Sequence, residues 1–429
     1  MNRVVFFFFF FLLVVFPLSI SNIENESINY VKQLKKITNN LTYPVAVAEV
    51  KTSNELVLSK NELRLIDLKN KELKNIEQES DIGFFENHNT LSFKINKDIN
   101  KILAYKEWEK FVEHDGGLRG IYINGYDLFN VKKMENITNI VNKTNVNTLV
   151  IDVKTDHGHL LYDSETLESE QLNNERVKFD KEYLSSLKSE LNIYLIGRVV
   201  AFQDPIFAKT YNSSAVLEGT TGEIFSMNGQ YFLDPSDTKS RNYILNVALE
   251  ACSLGFDEIQ FDYIRYPDSA DTKLVFDEVS NFESRTKNIN SFLSEATLLL
   301  NENGCLVSAD IFGYVLQSKS DNGIGQHLES IVSAVNFISP MVYPSHYSKG
   351  SFGYANPNEY PYEVVTEALE GGLVRINNNN KIRPYLQGFW HTVDGVKQNI
   401  KAAEDKNLHW IIWNNSSMYD IEYFIKLKS

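Results

Sequence analysis

The sequence predicts an α/β fold, a (β/α)8 TIM barrel, on three observations. Eight short apolar runs alternate with amphipathic segments from Leu118 onward, over about 310 residues. The runs are near-continuous rather than strictly alternating, as in strands buried on both faces of a parallel sheet. The first run is followed by Asn124-Gly125-Tyr126, not by the Gly-rich phosphate turn that a doubly wound open sheet, the main rival, normally carries.

The expected strands are LRGIYIN (118–124), NTLVIDVKTD (147–156), NIYLIGRVVAF (192–202), DEIQFDYIR (257–265), LVSADIFG (306–313), VNFISPMVYPS (335–345), RPYLQGF (383–389) and HWIIWN (409–414). Helix signals lie between them. Asn130 is an N-cap for 130–143. Gly255 is a C′ glycine after 240–253, and 282–301 ends in three leucines ahead of Gly304. The segment 362–370 is expected to end at Gly371-Gly372, and 394–406 carries Val396, Ile400 and Ala403 on one face. The third and fourth runs start 65 residues apart, too far for a plain βα unit. Residues 203–234 are therefore an expected loop insertion on the C-terminal face.

Ahead of the barrel, residues 22–105 are polar and rich in Lys, Asn and Glu, with short alternating stretches at 45–50, 63–68 and 91–95. They read as a spacer or accessory region, either β-containing or poorly ordered. The first 21 residues open with Arg3, an unbroken apolar run over 4–16 and then Pro17. This is the pattern of a signal peptide ending near Ser19-Ile20-Ser21. The alternative is a retained anchor, and membrane contact is expected only in that case. The reading places the protein outside the cytoplasm: extracellular, periplasmic or anchored on the outer side. The domain organisation is thus 1–21, 22–105 and a barrel over 106–429.

With 42 Lys+Arg against 56 Asp+Glu, the net charge is −14. That disfavours a nucleic-acid partner, because no general electrostatic footprint for a polyanion exists. Hydrophobic content of 43% excludes wholesale disorder. Cys252 and Cys305 are read first as two buried thiols, with a single bridge between them as the other reading. Asn-x-Ser/Thr triplets such as those at Asn136 and Asn212 are expected by chance in so Asn-rich a chain. No cofactor motif stands out, and no metal site is assigned: Asp156, His157 and His159 lack a ligand spacing of known type.

In a barrel the C-terminal strand ends face the ligand. Three carboxylates sit there among apolar neighbours: Asp152, Asp262 and Asp310. An Asp in such a setting is costly unless paired or used. Asp262 and Asp310, on adjacent strands, form the expected catalytic pair for glycoside hydrolysis, one carboxyl protonating the leaving oxygen and the other attacking the anomeric carbon or activating water. Structural ion pairs with Arg198 or Arg265 are the competing explanation. Asp152, Asp156, Arg198, Arg265, Tyr343, His346, Gln387, Trp390 and Trp413 are the expected substrate-binding residues, supplying polar groups and aromatic faces for a sugar.

Five segments, VIDVKTDHG (150–158), GFDEIQFDYIRYP (255–267), VSADIFG (307–313), ISPMVYPSHYSKGSFGYANPNEYPY (338–362) and RPYLQGFW (383–390), together resemble the putative glycosyl hydrolase domain family of exported bacterial barrels. The resemblance spans about 115–425 and implies a TIM-barrel glycosidase acting on an extracellular or cell-envelope polysaccharide or oligosaccharide. The fourth-strand motif is also similar to that of α-amylase-type barrels, where an Asp at this strand end is the nucleophile; that matches Asp262. Those enzymes carry a Glu acid on the fifth strand, where this chain has Asp310. Chitinase-type barrels resemble the same motif but place a Glu where this chain has Ile264, so substrate-assisted chemistry is not expected. The other functional reading is a barrel that binds glycan without turnover.

Overall fold

The computed structural model describes residues 117–268, 273–376 and 381–425, with the shorter stretches 49–52, 55–57, 104–105, 108–109 and 111–112. Two compact units divide at Met1–Ile99 and Asn100–Ser429. In the first, Glu49–Thr52 and Glu55–Val57 pair as an antiparallel hairpin. The expected signal or anchor segment and the stretches at 63–68 and 91–95 lie outside the described residues.

The second unit is a closed eight-stranded parallel barrel. Its strands are β1 (Arg119–Ile123), β2 (Thr148–Lys154), β3 (Tyr194–Val200), β4 (Glu258–Asp262), β5 (Leu306–Phe312), β6 (Phe337–Val342), β7 (Tyr385–Gln387) and β8 (Trp410–Trp413). They pair in chain order, and β8 closes on β1. Each of the eight expected runs forms one strand, as the sequence predicts, with ends trimmed by up to three residues. All residues of β2 and β3 are buried, which is why their sequences do not alternate.

The shell is built from α1 (Val131–Lys143), α2 (Lys181–Leu191), α3 (Thr238–Leu254), α4 (Phe282–Glu302), α5 (Leu328–Ala334), α6 (Pro361–Leu373) and α7 (Val393–Glu404). Asn130 caps α1 by accepting the Lys133 N–H at 3.2 Å. Gly255 ends α3 with φ +113°, a conformation that favours glycine. One expected boundary is wrong. Gly371 and Gly372 lie inside α6 rather than ending it. A Cβ on either would come within 2.6 Å of Gln317 or Leu316, so these glycines serve a close helix–loop approach and not a cap.

The reading of Cys252 and Cys305 as separate thiols is also corrected. They form a disulfide with Cα atoms 6.0 Å apart. Because β4 and β5 are neighbours, the end of α3 and the residue entering β5 meet at the N-terminal face of the barrel. Sequence separation gave no hint of that proximity.

Along β2, Leu149, Ile151 and Val153 pack outward against the helices, and Val150 points into the barrel. The low end of the interior is closed by Trp108, whose ring lies 4.8 Å from Phe337 and 5.4 Å from Tyr194. Above it sits a polar layer. The fully buried Arg383 and Glu258 pair at 2.5 Å, and Ser308 donates to the same carboxylate.

The expected insertion after β3 contains a short helix, Pro205–Thr210, capped by Asp204, and a hairpin of Ser226–Met227 with Gln230–Tyr231. Leu217–Glu218 pairs with Leu274–Val275 from the loop after β4. Val216, Phe225 and Phe232 form a small apolar cluster there. Lys154 Nζ anchors the insertion from below, forming an ion pair with Asp204 Oδ2 and donating to the Val200 carbonyl, both at 2.9 Å. No helix among the described residues is long and apolar enough to cross a membrane.

The disulfide closes a separation of 53 residues, for which chain entropy predicts about 4 kcal/mol of stabilisation. Cys252→Ser should lower the thermal midpoint, and reductant should shift the wild type but not the variant. Melting curves with and without reductant check this.

Candidate functional site

The C-terminal strand ends surround a cavity of about 560 Å³. Its floor depends on inward positions two residues apart on each strand. β3 sends Arg198 to the centre. Arg198 Nη1 donates to Asp152 Oδ1 of β2 at 2.6 Å. Its Nη2 and Nε donate to Asp262 Oδ2 of β4 at 2.6 and 3.1 Å. Tyr122 of β1 donates to the other Asp152 oxygen at 2.6 Å. The Tyr122 ring stacks on Trp413 of β8, with centroids 3.7 Å apart, and the guanidinium lies 5.0 Å from the Trp413 ring.

Directly after Asp262 the chain leaves the strand at Tyr263, with φ +52°. This left-handed conformation is unusual for an aromatic residue and stores strain next to the site. It also ends β4 earlier than the sequence reading expects. The Tyr263 N–H donates to Asp262 Oδ1 at 2.7 Å. The Asp262 carboxylate thus accepts one bond on Oδ1 and two on Oδ2.

Asp310 differs completely. It is buried at 1% exposure, lines the cavity, and among the described residues neither carboxyl oxygen has a hydrogen-bond partner. Burial first, and the nearby Asp262 charge second, push its pKa well above the ordinary carboxylate range, against the pull of Arg198. The protonated form of Asp310 is therefore favoured more than that of an ordinary carboxyl. For Asp152, burial outweighs Arg198 and Tyr122 and raises the pKa. For Arg198, burial works toward a lower pKa, but Asp262 and Asp152 together raise it well above its ordinary value.

Gly313 follows β5 at the cavity wall. A Cβ there would lie 2.5 Å from the Tyr347 hydroxyl and 2.6 Å from the Met341 carbonyl, so only glycine fits. The Tyr347 hydroxyl has no hydrogen-bond partner among the described residues. Among the described residues no group of three or more His, Cys, Asp or Glu is placed to hold a metal ion.

A family model for the putative glycosyl hydrolase domain matches residues 120–419. The chain belongs to this family. Among solved structures, the glycoside hydrolase domain of PgaB (BpsB) from Bordetella bronchiseptica is 10% identical, with 70% of this chain and 94% of that chain covered and a TM-score of 0.54. It supports the fold alone. A hypothetical protein from Ruminiclostridium thermocellum is 29% identical over 44% of this chain and 96% of its own, at a TM-score of 0.41. The spore cortex-lytic enzyme SleL of Bacillus megaterium is 11% identical, with 72% of each chain covered, at a TM-score of 0.44. No curated protein matches the chain.

Of the residues singled out from sequence, the family barrel brings Arg198, Asp262, Arg265, Asp310, Tyr343, His346 and Trp413 to the cavity wall. Four others are placed elsewhere. Asp152 lies beneath the wall and holds Arg198 and Tyr122. Asp156 is partly exposed on the loop after β2, with His157 as its neighbour at 3.9 Å. Gln387 is fully buried; its Oε1 accepts the Ser345 N–H at 3.0 Å and its Nε2 donates to the Phe389 carbonyl at 2.9 Å. It positions the Tyr343–His346 turn. Trp390 is 80% exposed with φ +54°, near His346 rather than on the cavity wall.

Sequence reading missed Tyr122, Tyr263, Gln326 and Tyr347. Tyr122 was reachable from alternation, since Leu118, Gly120 and Tyr122 share the inward face of β1. Gln326 was not: it comes from a long loop, where its Oε1 accepts the Phe312 N–H at 3.0 Å.

Arg198→Met should leave Asp152 and Asp262 buried and unpaired, costing about 3–5 kcal/mol in denaturant unfolding. Asp310→Asn tests the raised pKa. Above the ordinary carboxylate range the unfolded chain loses a proton that folded Asp310 keeps, so the wild type loses stability as pH rises. The stability difference should therefore move in favour of Asp310→Asn from pH 3 toward neutrality, as measured by unfolding across pH.

Proposed function

We propose that this protein is an exported glycoside hydrolase acting on an extracellular or cell-envelope polysaccharide. One observation carries the reading. Two buried Asp side chains line a single cavity, one hydrogen-bonded twice by Arg198 and the other, among the described residues, without any hydrogen-bond partner and with its pKa raised by burial. Pairs of carboxyl groups whose environments push them apart mark acid and nucleophile assignments.

In this reading Asp310 donates its proton to the glycosidic oxygen as the bond to the anomeric carbon breaks. Asp262 attacks that carbon and forms a glycosyl-enzyme ester. Arg198 loads Oδ2 with two hydrogen bonds, so Oδ1 is the oxygen with the freer lone pair. The Asp310 carboxylate then takes a proton from water, whose oxygen displaces Asp262 with net retention. Trp413, Tyr343 and His346 offer faces and hydrogen-bonding tips for the sugar. Two features support export: the N-terminal apolar run ahead of Pro17 and the Cys252–Cys305 disulfide, which is characteristic of oxidising compartments.

A second reading, a barrel that holds glycan without turnover, is favoured by Asp310 itself. It is shorter than a Glu and almost fully covered. Activity on a polysaccharide panel separates the two. Hydrolysis is expected, with kcat reduced at least about 10³-fold in Asp262→Asn and about 10²–10⁴-fold in Asp310→Asn. The wild-type rate should fall as pH rises through the Asp310 pKa, and Asp310→Asn should lose that limb. Glycan binding with no product on prolonged incubation establishes the second reading, and full hydrolysis by Asp262→Asn removes Asp262 from the mechanism.

A further inference from the structure

Among the described residues two arginines line the cavity, and of these only Arg198 forms an ion pair. Arg198 lies between Asp152 and Asp262. Arg265 is 8% exposed, and among the described residues no Asp or Glu forms an ion pair with it. Its Nη1 donates to the Tyr266 carbonyl at 3.1 Å. Its guanidinium faces three rings, Phe312 at 5.2 Å and Phe232 and Tyr263 at 5.5 Å each.

One carbonyl and three ring quadrupoles compensate a buried cation only in part. Burial accordingly pulls the Arg265 pKa below its ordinary value. Asp262 and Asp268 act on it only through the longer-range field and form no ion pair with it among the described residues, and Asp262 is engaged by Arg198. The rings that hold the guanidinium in place come from three segments: the β3 insertion, the β4 end and the β5 end. They fix the planar fork at the cavity wall, where preorganised Arg suits bidentate recognition of an oxyanion.

We propose that Arg265 is the recognition site for an acidic substituent on the glycan, a carboxylate, sulfate ester or phosphate ester carried by a sugar bound beside Asp262 and Asp310. This rests on the glycoside hydrolase reading and assigns its substrate class. The net charge of −14 gives no long-range attraction for a polyanion, so the preference is local to this one side chain and disappears with it.

The test is calorimetric binding of matched oligosaccharide pairs to the full chain: oligogalacturonate and its methyl ester, a sulfated oligosaccharide and its desulfated form, a phosphorylated mannan fragment and its dephosphorylated form. At least one acidic member should bind about tenfold or more tightly than its neutral partner, in keeping with a charge-assisted bidentate contact. The pair that shows this names the substituent. Arg265→Gln should abolish the difference. Arg265→Lys, which keeps the charge, should retain part of it and serves as the folded control if the Gln variant melts early. Equal binding within every pair, or a preference that survives Arg265→Gln, overturns the proposal. Acidic glycan bound but never cleaved defeats the hydrolase reading alone. Neutral glycan cleaved as fast as its acidic partner defeats the Arg265 assignment alone.

Discussion

The guanidinium of Arg198 is the interaction on which the cavity floor depends. It joins three strands by binding Asp152 on one side and Asp262 on the other. Without it two carboxylates would face each other in a nearly dry interior, where uncompensated charge costs several kcal/mol. Tyr122 and Trp413 complete the arrangement by fixing the outer Asp152 oxygen and the cation face. A TIM-barrel interior is usually filled by branched apolar side chains. Here the middle of the barrel carries Glu258 with Arg383, Gln260 with Ser339 and Tyr385, and the Arg198 cluster above. The apolar helix shell must therefore supply most of the favourable burial.

Asp262 and Asp310 show how position gives one residue type two different environments. Both are inward-facing on adjacent strands. Asp262 meets a cation and a backbone N–H; Asp310 meets neither among the described residues, and burial raises its pKa. The difference arises from strand order. Arg198 on β3 reaches β2 and β4, its immediate neighbours, and contacts β5 only through the longer-range field. Tyr263, in its strained conformation, then supplies a donor to Asp262 that no regular strand residue could aim there.

The two faces of the barrel are specialised. The N-terminal face holds the Trp108 plug and the Cys252–Cys305 bridge, both of which secure the frame. The C-terminal face carries the insertion after β3, the loop after β4 and the Gly313 turn, which shape the wall. The paired segments Leu217–Glu218 and Leu274–Val275 make the first two of these loops a single structure. Phe232 can therefore sit over Arg265 in a fixed place.

Sequence by itself determined the barrel. Eight apolar runs with turn signals between them have few ways to bury both faces, and parallel closure with helices outside satisfies them all. It also marked Asp262 and Asp310 as candidates, because carboxyl groups among apolar neighbours are conspicuous in one dimension. Only the tertiary structure decided what surrounds each. Pairing Cys252 with Cys305, placing Asp152 under the wall and Gln387 behind it, and leaving Asp310 and Arg265 without counter-charges all depend on which side chains meet across neighbouring strands and loops. Local pattern reports burial. Protonation state and charge balance are set by distances of a few ångströms between residues far apart in the chain, and those exist only once the barrel has closed.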